Sequence, residues 1–373
     1  MKILFYTPVN IRSGGGCERW HCDITNSIRK LGTDVEIVSG NLDEGALKWS
    51  KEDLAKELQK VPYTCLNYLK FLGILIPTPS VVWRLYKKFS GADYIHFIYG
   101  FMGQDLLVLM LKIITGKKVI VGHHAPTLHS GKIHNLYMQY ISRYLMNLFD
   151  AHITLNKKDK NFFEQTWKIK NVYFIPSGVN VGKFLNKEKV KHQGIHFITV
   201  GRLEKQKGID LMLEAIDLFN NNFQGNNAVF HIVGNGSYKD LVEKCLKKQL
   251  NVKYYGFVSN DELVNLYAQC DVYLLPSREE PFGLVLIEAW SSGLPVLATK
   301  TEGPSDMIQE NINGWFIQSI DVNSIAEGIE NVYKIYQNNF DTFVLMRKDC
   351  RVTGSVYSID NMAKRIVEVL NNV

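Results

Sequence analysis

The chain has 373 residues, of which 46% are hydrophobic and 21% charged; this is ordinary globular usage, and it excludes disorder, collagen and coiled coil as descriptions of the whole. At roughly 150 residues per domain the length asks for two domains, each able to bury its own core. The formal net charge of +6 is unevenly spread, since residues 1–185 carry 24 Lys and Arg against 14 Asp and Glu while 186–373 carry 19 against 23. The first half is therefore set to meet something anionic, or else presents a plain solvated basic face.

No run supplies the roughly 18 apolar residues of a membrane-spanning helix, because the longest uncharged candidate, 71–83, contains Pro77 and Pro79. Met1–Tyr6 meets Pro8, Asn10 and Arg12 before a signal-peptide core is complete, so it reads as a first core strand. The cysteines at 17, 22, 65, 245, 270 and 350 form no Cys-x-x-Cys pair, which suits reduced thiols. A cytoplasmic protein is expected, with loose attachment to the inner membrane face as a variant.

In chain order, strands are predicted at Lys2–Thr7, Asp34–Ser39, Asp93–Ile98, Lys118–His124, His152–Leu155 and Val172–Pro176. Several are continuous apolar runs, as strands covered on both faces should be. Helices are predicted between them, including Cys17–Leu31 and Ile133–Phe149, and the alternation argues a doubly wound parallel sheet. The polar, Lys-rich stretch Gly182–Gly194 has the composition of a linker, which divides the chain into 1–185 and 186–356, with a C-terminal helix over about 357–373 packing back on the first domain. The pattern restarts with strands at Ile195–Val200, Val229–Val233, Val252–Tyr255, Val272–Pro276, Pro295–Thr299 and Trp315–Gln318, and helices at about 208–220, 237–249, 260–269, 283–292 and 322–337. The fold class is thus α/β, with two Rossmann-like sheets expected to face each other across a cleft by the C-terminal ends of their strands.

Three loops carry candidate chemistry. Ser13-Gly14-Gly15-Gly16 follows the first strand and opens a helix, where glycine backbone and free N–H groups suit a phosphate or a plain turn. A dinucleotide fingerprint would need a third glycine near Arg19, which is missing. Val200–Gly208 leaves the first strand of the second half; Arg202 can fork onto phosphate oxygens and Lys207 can add a point charge, a pairing suited to a diphosphate. The third loop is Pro276–Trp290. Glu280, before Pro281, is pushed toward an extended conformation outside the helix, while Leu284 and Glu288 share a helical face. N–H groups near Phe282 and Gly283 would floor a pocket, and two carboxylates so placed suit the hydroxyls of a sugar and a ribose better than a metal.

The segments GRLEKQKG and EPFGLVLIE, with Glu280 and Glu288 in their fixed spacing, resemble the retaining nucleotide-sugar glycosyltransferases of family 4, which have the GT-B fold. GGGCER, IPSGVN, HIVGNGSY, YGFVSNDELVNLYAQCDVYLLPS and SSGLPVLAT follow in the family's order. The resemblance implies an acceptor-side first domain and a donor-side second domain. It implies that Arg202 and Lys207 hold the donor diphosphate, Glu280 the transferred sugar, and Glu288 the ribose. Gly15 and Gly16 would close the phosphate site, the base would rest near Gly234 and Val258, and His124 would stand beside the reacting sugar. It implies transfer with retention, a glycan or lipid-linked acceptor, and no cofactor, metal or nucleic acid.

His123, His124, His129 and His134 have no metal-ligand spacing. The segment Thr301–Ile308 departs from the family, which often has adjacent glycines there and a Glu at the position of Asp306. Glu52–Phe89 is aromatic and basic, and reads equally as an acceptor or membrane element or as core. A nucleotide-sugar epimerase or phosphorylase, an NAD-dependent oxidoreductase and a non-catalytic nucleotide-binding protein are the competing readings.

Overall fold

The computed structural model describes residues 1–373 apart from 14–15, 43–48, 72–73, 100–101, 125–131, 186 and 191. The chain divides into two compact units, residues 1–178 with 359–373, and residues 179–358. The first unit contains β1 (Lys2–Val9), β2 (Asp34–Leu42), β3 (Tyr63–Cys65), β4 (Leu69–Phe71), β5 (Ile74–Ile76), β6 (Tyr94–Tyr99), β7 (Lys118–His123), β8 (Ala151–Thr154) and β9 (Val172–Phe174). Its sheet has the order β3-β2-β1-β6-β7-β8-β9 with every pair parallel, and β4 and β5 form a separate antiparallel hairpin. Ile3, Leu4, Phe5 and Tyr6 of β1 are all fully buried, which is why the central strand is an unbroken apolar run.

The second unit contains β10 (His196–Val200), β11 (Val229–Val233), β12 (Val252–Tyr254), β13 (Val272–Leu275), β14 (Val296–Thr299) and β15 (Gly314–Ile317). They pair in the order β12-β11-β10-β13-β14-β15, again all parallel. Both orders run outward from a central strand and then reverse, at β1/β6 in one sheet and β10/β13 in the other. Loops leaving the two strands at such a reversal diverge, and open α/β sheets take their ligands in the crevice this leaves.

The division falls at Gly178, not at Leu185. The stretch expected as a linker starts with a short helix, Gly182–Leu185, and its later residues fasten to the second unit. Val190 N–H donates to Ala268 O at 3.1 Å, Lys189 Nζ to Tyr267 O at 3.4 Å, and His192 Nε2 lies 3.4 Å from Asp271 Oδ2. Asp271 is buried and also accepts from Arg347 and from the His196 N–H. Desolvation lowers the Lys189 amine to about 8. The polar composition of this stretch therefore serves a carboxylate-centred network. Helix Ile359–Asn372 packs on helix Gly16–Lys30 in the first unit, where Trp20 Nε1 donates to Met362 Sδ at 3.3 Å.

The helix predicted over 133–149 is interrupted. Helix Lys132–Tyr137 passes through a π turn, Met138–Ser142, into helix Arg143–Met146. Tyr137 and Ser142, five residues apart, both donate to the carboxylate of Asp105 on helix Gln104–Thr115, and the wider π turn brings side chains at that spacing into line. Within the aromatic, basic stretch, Tyr68 and Phe89 are core residues while Trp83 is exposed and stacked on Tyr86. Lys88 is spent on buried Glu36, which also holds Lys2 at 3.1 Å. Burial works against that carboxylate, yet these two lysines keep its pKa below the ordinary value. No described helix is long and apolar enough to cross a membrane.

Burial, first among the causes, lowers the pKa of seven of the ten histidines: His21, His96, His123, His124, His152, His196 and His231. His21 and His152 fall to about 4 and His96 to about 3. Below the ordinary histidine pKa of about 6.5 the unfolded chain binds protons that the native state refuses, so stability falls with pH by up to about 1.4 kcal/mol per unit for each such group. The urea midpoint should drop steeply between pH 7 and about pH 5; a midpoint that holds steady or rises across that window contradicts this account.

Candidate active site

The crevice of the second sheet is lined by the loops after β10, β11 and β13. Gly201 N–H donates to Val233 O at 3.0 Å, Leu203 N–H to Asn235 O at 2.9 Å, and Tyr238 N–H to Leu203 O at 2.8 Å. This stitching brings the backbones so close that a Cβ on Gly234, at φ +136°, would stand 1.7 Å from the Gly201 carbonyl oxygen. Only glycine fits there. Gly234 N–H in turn reaches Gly256 O at 2.7 Å, which sets the turn holding half-buried Val258 beside it. The Glu204 carboxylate accepts from the Ser237 hydroxyl at 2.6 Å and N–H at 3.0 Å, and these bonds hold its pKa down.

The turn Lys205–Lys207 is braced against the loop after β13. Arg278 forks onto Asp210 with two bonds of 2.7 Å and donates a third to Lys205 O at 2.7 Å; its own N–H donates to Gln206 O at 2.7 Å. A two-pronged bond of this kind fixes angle as well as distance. Within this brace the Lys207 ammonium pairs with the Glu280 carboxylate. Glu280 is buried, 6% exposed. Behind it, Gly303 N–H donates to Glu280 O at 2.9 Å, and a Cβ on Gly303 would stand 2.1 Å from Phe282 O. The segment that departs from the family pattern, Thr301–Ile308, thus backs the Glu280 loop through its one retained glycine.

Gly283, at φ +88°, turns the chain into helix Leu284–Ser291, and Phe282 is buried beside it. The first N–H groups of a helix lack intrahelical partners. Glu288 accepts from the Tyr267 hydroxyl at 3.1 Å, and the Tyr273 hydroxyl donates to Val200 O at 2.9 Å. Burial raises both phenols well above their ordinary pKa; Glu288 adds to this at Tyr267, and both Glu280 and Glu288 add to it at Tyr273. Arg202 is exposed and makes no ion pair among the described residues. Arg202, Lys207, Gly234, Val258, Glu280, Phe282, Gly283, Leu284 and Glu288 are accordingly gathered at one end of the second sheet.

The remaining expected site residues belong to the first unit. Gly15 lies outside the described residues, and Gly16 opens helix Gly16–Lys30 after β1. His124 follows β7 with its ring centre 4.3 Å from that of Trp20 in an edge-type contact, and its buried Nε2 makes no hydrogen bond among the described residues. Burial, then the neighbouring His96 and His21, lowers its pKa well below the ordinary value. At neutral pH it is an uncharged imidazole able to exchange hydrogen bonds with a hydroxyl. His123 is engaged by His152 at 3.0 Å. His129 lies outside the described residues, and no cluster of three His, Cys, Asp or Glu able to hold a metal occurs among the described ones. The supporting roles of Arg278, Asp210 and Gly303 carry no local signal in the sequence, because their partners are remote along the chain; Tyr273 leaves a trace, as a polar-tipped residue in a core strand.

Residues 14–183 match the family model Glycosyltransferase Family 4, and residues 181–341 match Glycosyl transferases group 1. The chain belongs to glycosyltransferase family 4. An uncharacterized glycosyltransferase of Haemophilus influenzae is 24% identical over 97% of this chain and 98% of its own, and one of Methanocaldococcus jannaschii is 35% identical over 46% of this chain and 43% of its own. The chain spans about two fifths of the length of the curated relatives it matches at 37% and 35% identity. Anabaena HepE, solved in complex with UDP and glucose, superposes with a TM-score of 0.76 at 17% identity over all of both chains, a likeness that establishes the GT-B fold.

The Lys207–Glu280 pair is mostly buried, so removing the cation alone leaves a carboxylate short of compensation. Lys207→Met should lower stability by about 2 kcal/mol, and Lys207→Met with Glu280→Gln by less than the two single changes added together. A double-mutant cycle in urea checks this; strict additivity would show that the pair does not couple the loops.

Proposed function

We propose that this chain moves a sugar from a nucleoside-diphosphate sugar to an acceptor hydroxyl, with retained anomeric configuration and without a metal ion. The observation that carries the reading is the gathering of Arg202, Lys207, Glu280 and Glu288 where the second sheet's strand order reverses. Arg202 and Lys207 meet the diphosphate and stabilise the charge that grows on it as the sugar departs. Glu280, fixed in an extended loop by Pro281 and Gly303, accepts hydrogen bonds from the transferred sugar. Glu288, one helical turn into the wall, takes the ribose. Gly234 and the Val258 turn leave room for a base held by backbone groups, while Gly15, Gly16 and His124 serve the reaction from the first unit. The UDP and glucose in the HepE structure support the donor class, and a glycan or lipid-linked acceptor accords with the reading.

Calorimetry with UDP, GDP and ADP tests the donor site. Arg202→Ala should weaken the preferred nucleotide by about 1.5–3 kcal/mol, the scale of a hydrogen bond to a charged group. Glu280→Gln should keep that affinity and lose turnover of the nucleotide sugar, because its contact is to a group the free nucleotide lacks. Unchanged affinity in Arg202→Ala, or matching profiles for Glu280→Gln and Glu288→Gln, would overturn the assignment. Transfer should also survive EDTA, since the chain's own cations serve the diphosphate; loss restored by a divalent ion would refute the metal-free route.

A further inference from the structure

Helix Gln104–Thr115 inverts the usual rule for a surface helix, whose outward stripe is polar. Leu106, Met110, Ile113 and Ile114, at helical spacing on one face, are its exposed large apolar side chains, and Ile113 is 72% exposed. Its single acidic residue, Asp105, is fully buried. The neighbouring helical stretch repeats the inversion, with Leu136, Tyr140 and Tyr144 exposed at intervals of four and Leu148 exposed in the turn that follows. The two helices are locked together by bonds from Tyr137 and Ser142 to Asp105, and helix Pro79–Ser90, with exposed Trp83, packs on the other side of Gln104–Thr115. An apolar and aromatic face of this extent is unusual on a monomer and marks an interaction surface.

We propose that this face of the first unit docks on an anionic lipid bilayer. Charge decides the occupant. Residues 100–150 contain five Lys and Arg against two acidic residues, Asp105, which is buried, and Asp150, which holds Lys112 at 3.2 Å. Arg143 lies over Tyr144 at 4.5 Å and Lys87 over Trp83 at 5.0 Å, so cations border the exposed rings. Tyrosine and tryptophan beside Lys and Arg suit the headgroup boundary, where rings and aliphatic stems enter the apolar layer and charges meet anionic lipid. A second copy of the chain fits poorly, because a two-fold contact sets a patch against itself and would bring Arg143, Lys87 and Lys117 against their own copies. The inference uses the first unit alone and holds whichever nucleotide sugar the second unit takes.

Co-sedimentation of the full chain with phosphatidylcholine vesicles, with and without phosphatidylglycerol, tests it. The protein should bind the anionic vesicles, bind neutral ones several-fold less, and be released by salt, which screens charges beyond about 10 Å. Ile113→Glu and Tyr144→Glu change exposed side chains; each should cut vesicle binding about tenfold, since a charge is driven toward the apolar layer, while nucleotide affinity and melting temperature stay put. Absence of binding to anionic vesicles at low salt overturns the proposal, as does equal binding to both vesicle types. Full binding by both variants overturns it too. Light scattering that finds a dimer which Ile113→Glu dissociates would assign the face to a second copy instead.

Discussion

Lys207 and Glu280 lie 73 residues apart, and the ion pair between them closes the gap between the loops of two adjacent strands. Its net worth in a largely buried setting depends on geometry, because desolvation of both charges must be offset by attraction and further hydrogen bonds. That geometry is supplied by neighbours. The Arg278–Asp210 fork sets the spacing of the two loops, and Gly303 holds the Glu280 backbone from behind. With Lys207 and Glu280 neutralising each other, exposed Arg202 and Lys205 are cations of this loop that make no ion pair among the described residues.

Twelve of the strands were legible, several of them because burial on both faces leaves a continuous apolar run; β3, β4 and β5, three residues each within the aromatic and basic stretch, were not. β11 and helix Asn260–Gln269 coincide with their predicted ranges. The candidate donor residues were legible as types in loops, but not as partners: nothing local marks Lys207 as the ion-pair partner of Glu280, or Arg278 as the brace of Asp210. Helix Gln104–Thr115 turns half of its apolar residues outward, an orientation that its near-continuous apolar sequence does not mark. The π turn at Met138–Ser142 was hidden for the same reason as the ion pair. Its cause, Asp105, sits on another helix. Polarity misled at Lys189 and His192, where it signals a buried carboxylate nearby rather than a solvated linker.

The two units handle charge differently. In the first, His21, His96 and His124 form a neutral imidazole cluster beneath Trp20, and the buried acids Glu36 and Asp105 are each satisfied inside, by two lysines in one case and two hydroxyls in the other. Positive charge is thereby left to the surface. In the second, Asp271 gathers Arg347 and His192 at the start of β10, and the cations with a proposed chemical task stand at the opposite end of the same strand.

The first unit is not contiguous in the chain, and this dictates an order of events during synthesis. Residues 1–178 leave the ribosome first, yet the groove on helix Gly16–Lys30 is filled by Ile359, Met362, Ile366 and Leu370 from the last helix. The second unit is one unbroken stretch, 179–358, and its fold can be complete while the earlier sheet still waits with Trp20 uncovered. Domains usually finish from the N-terminus onward. Here the first sheet begun is the last one closed, so a chain cut short before residue 359 would hold a finished second unit and an unfinished first one, the form most exposed to chaperones and proteases.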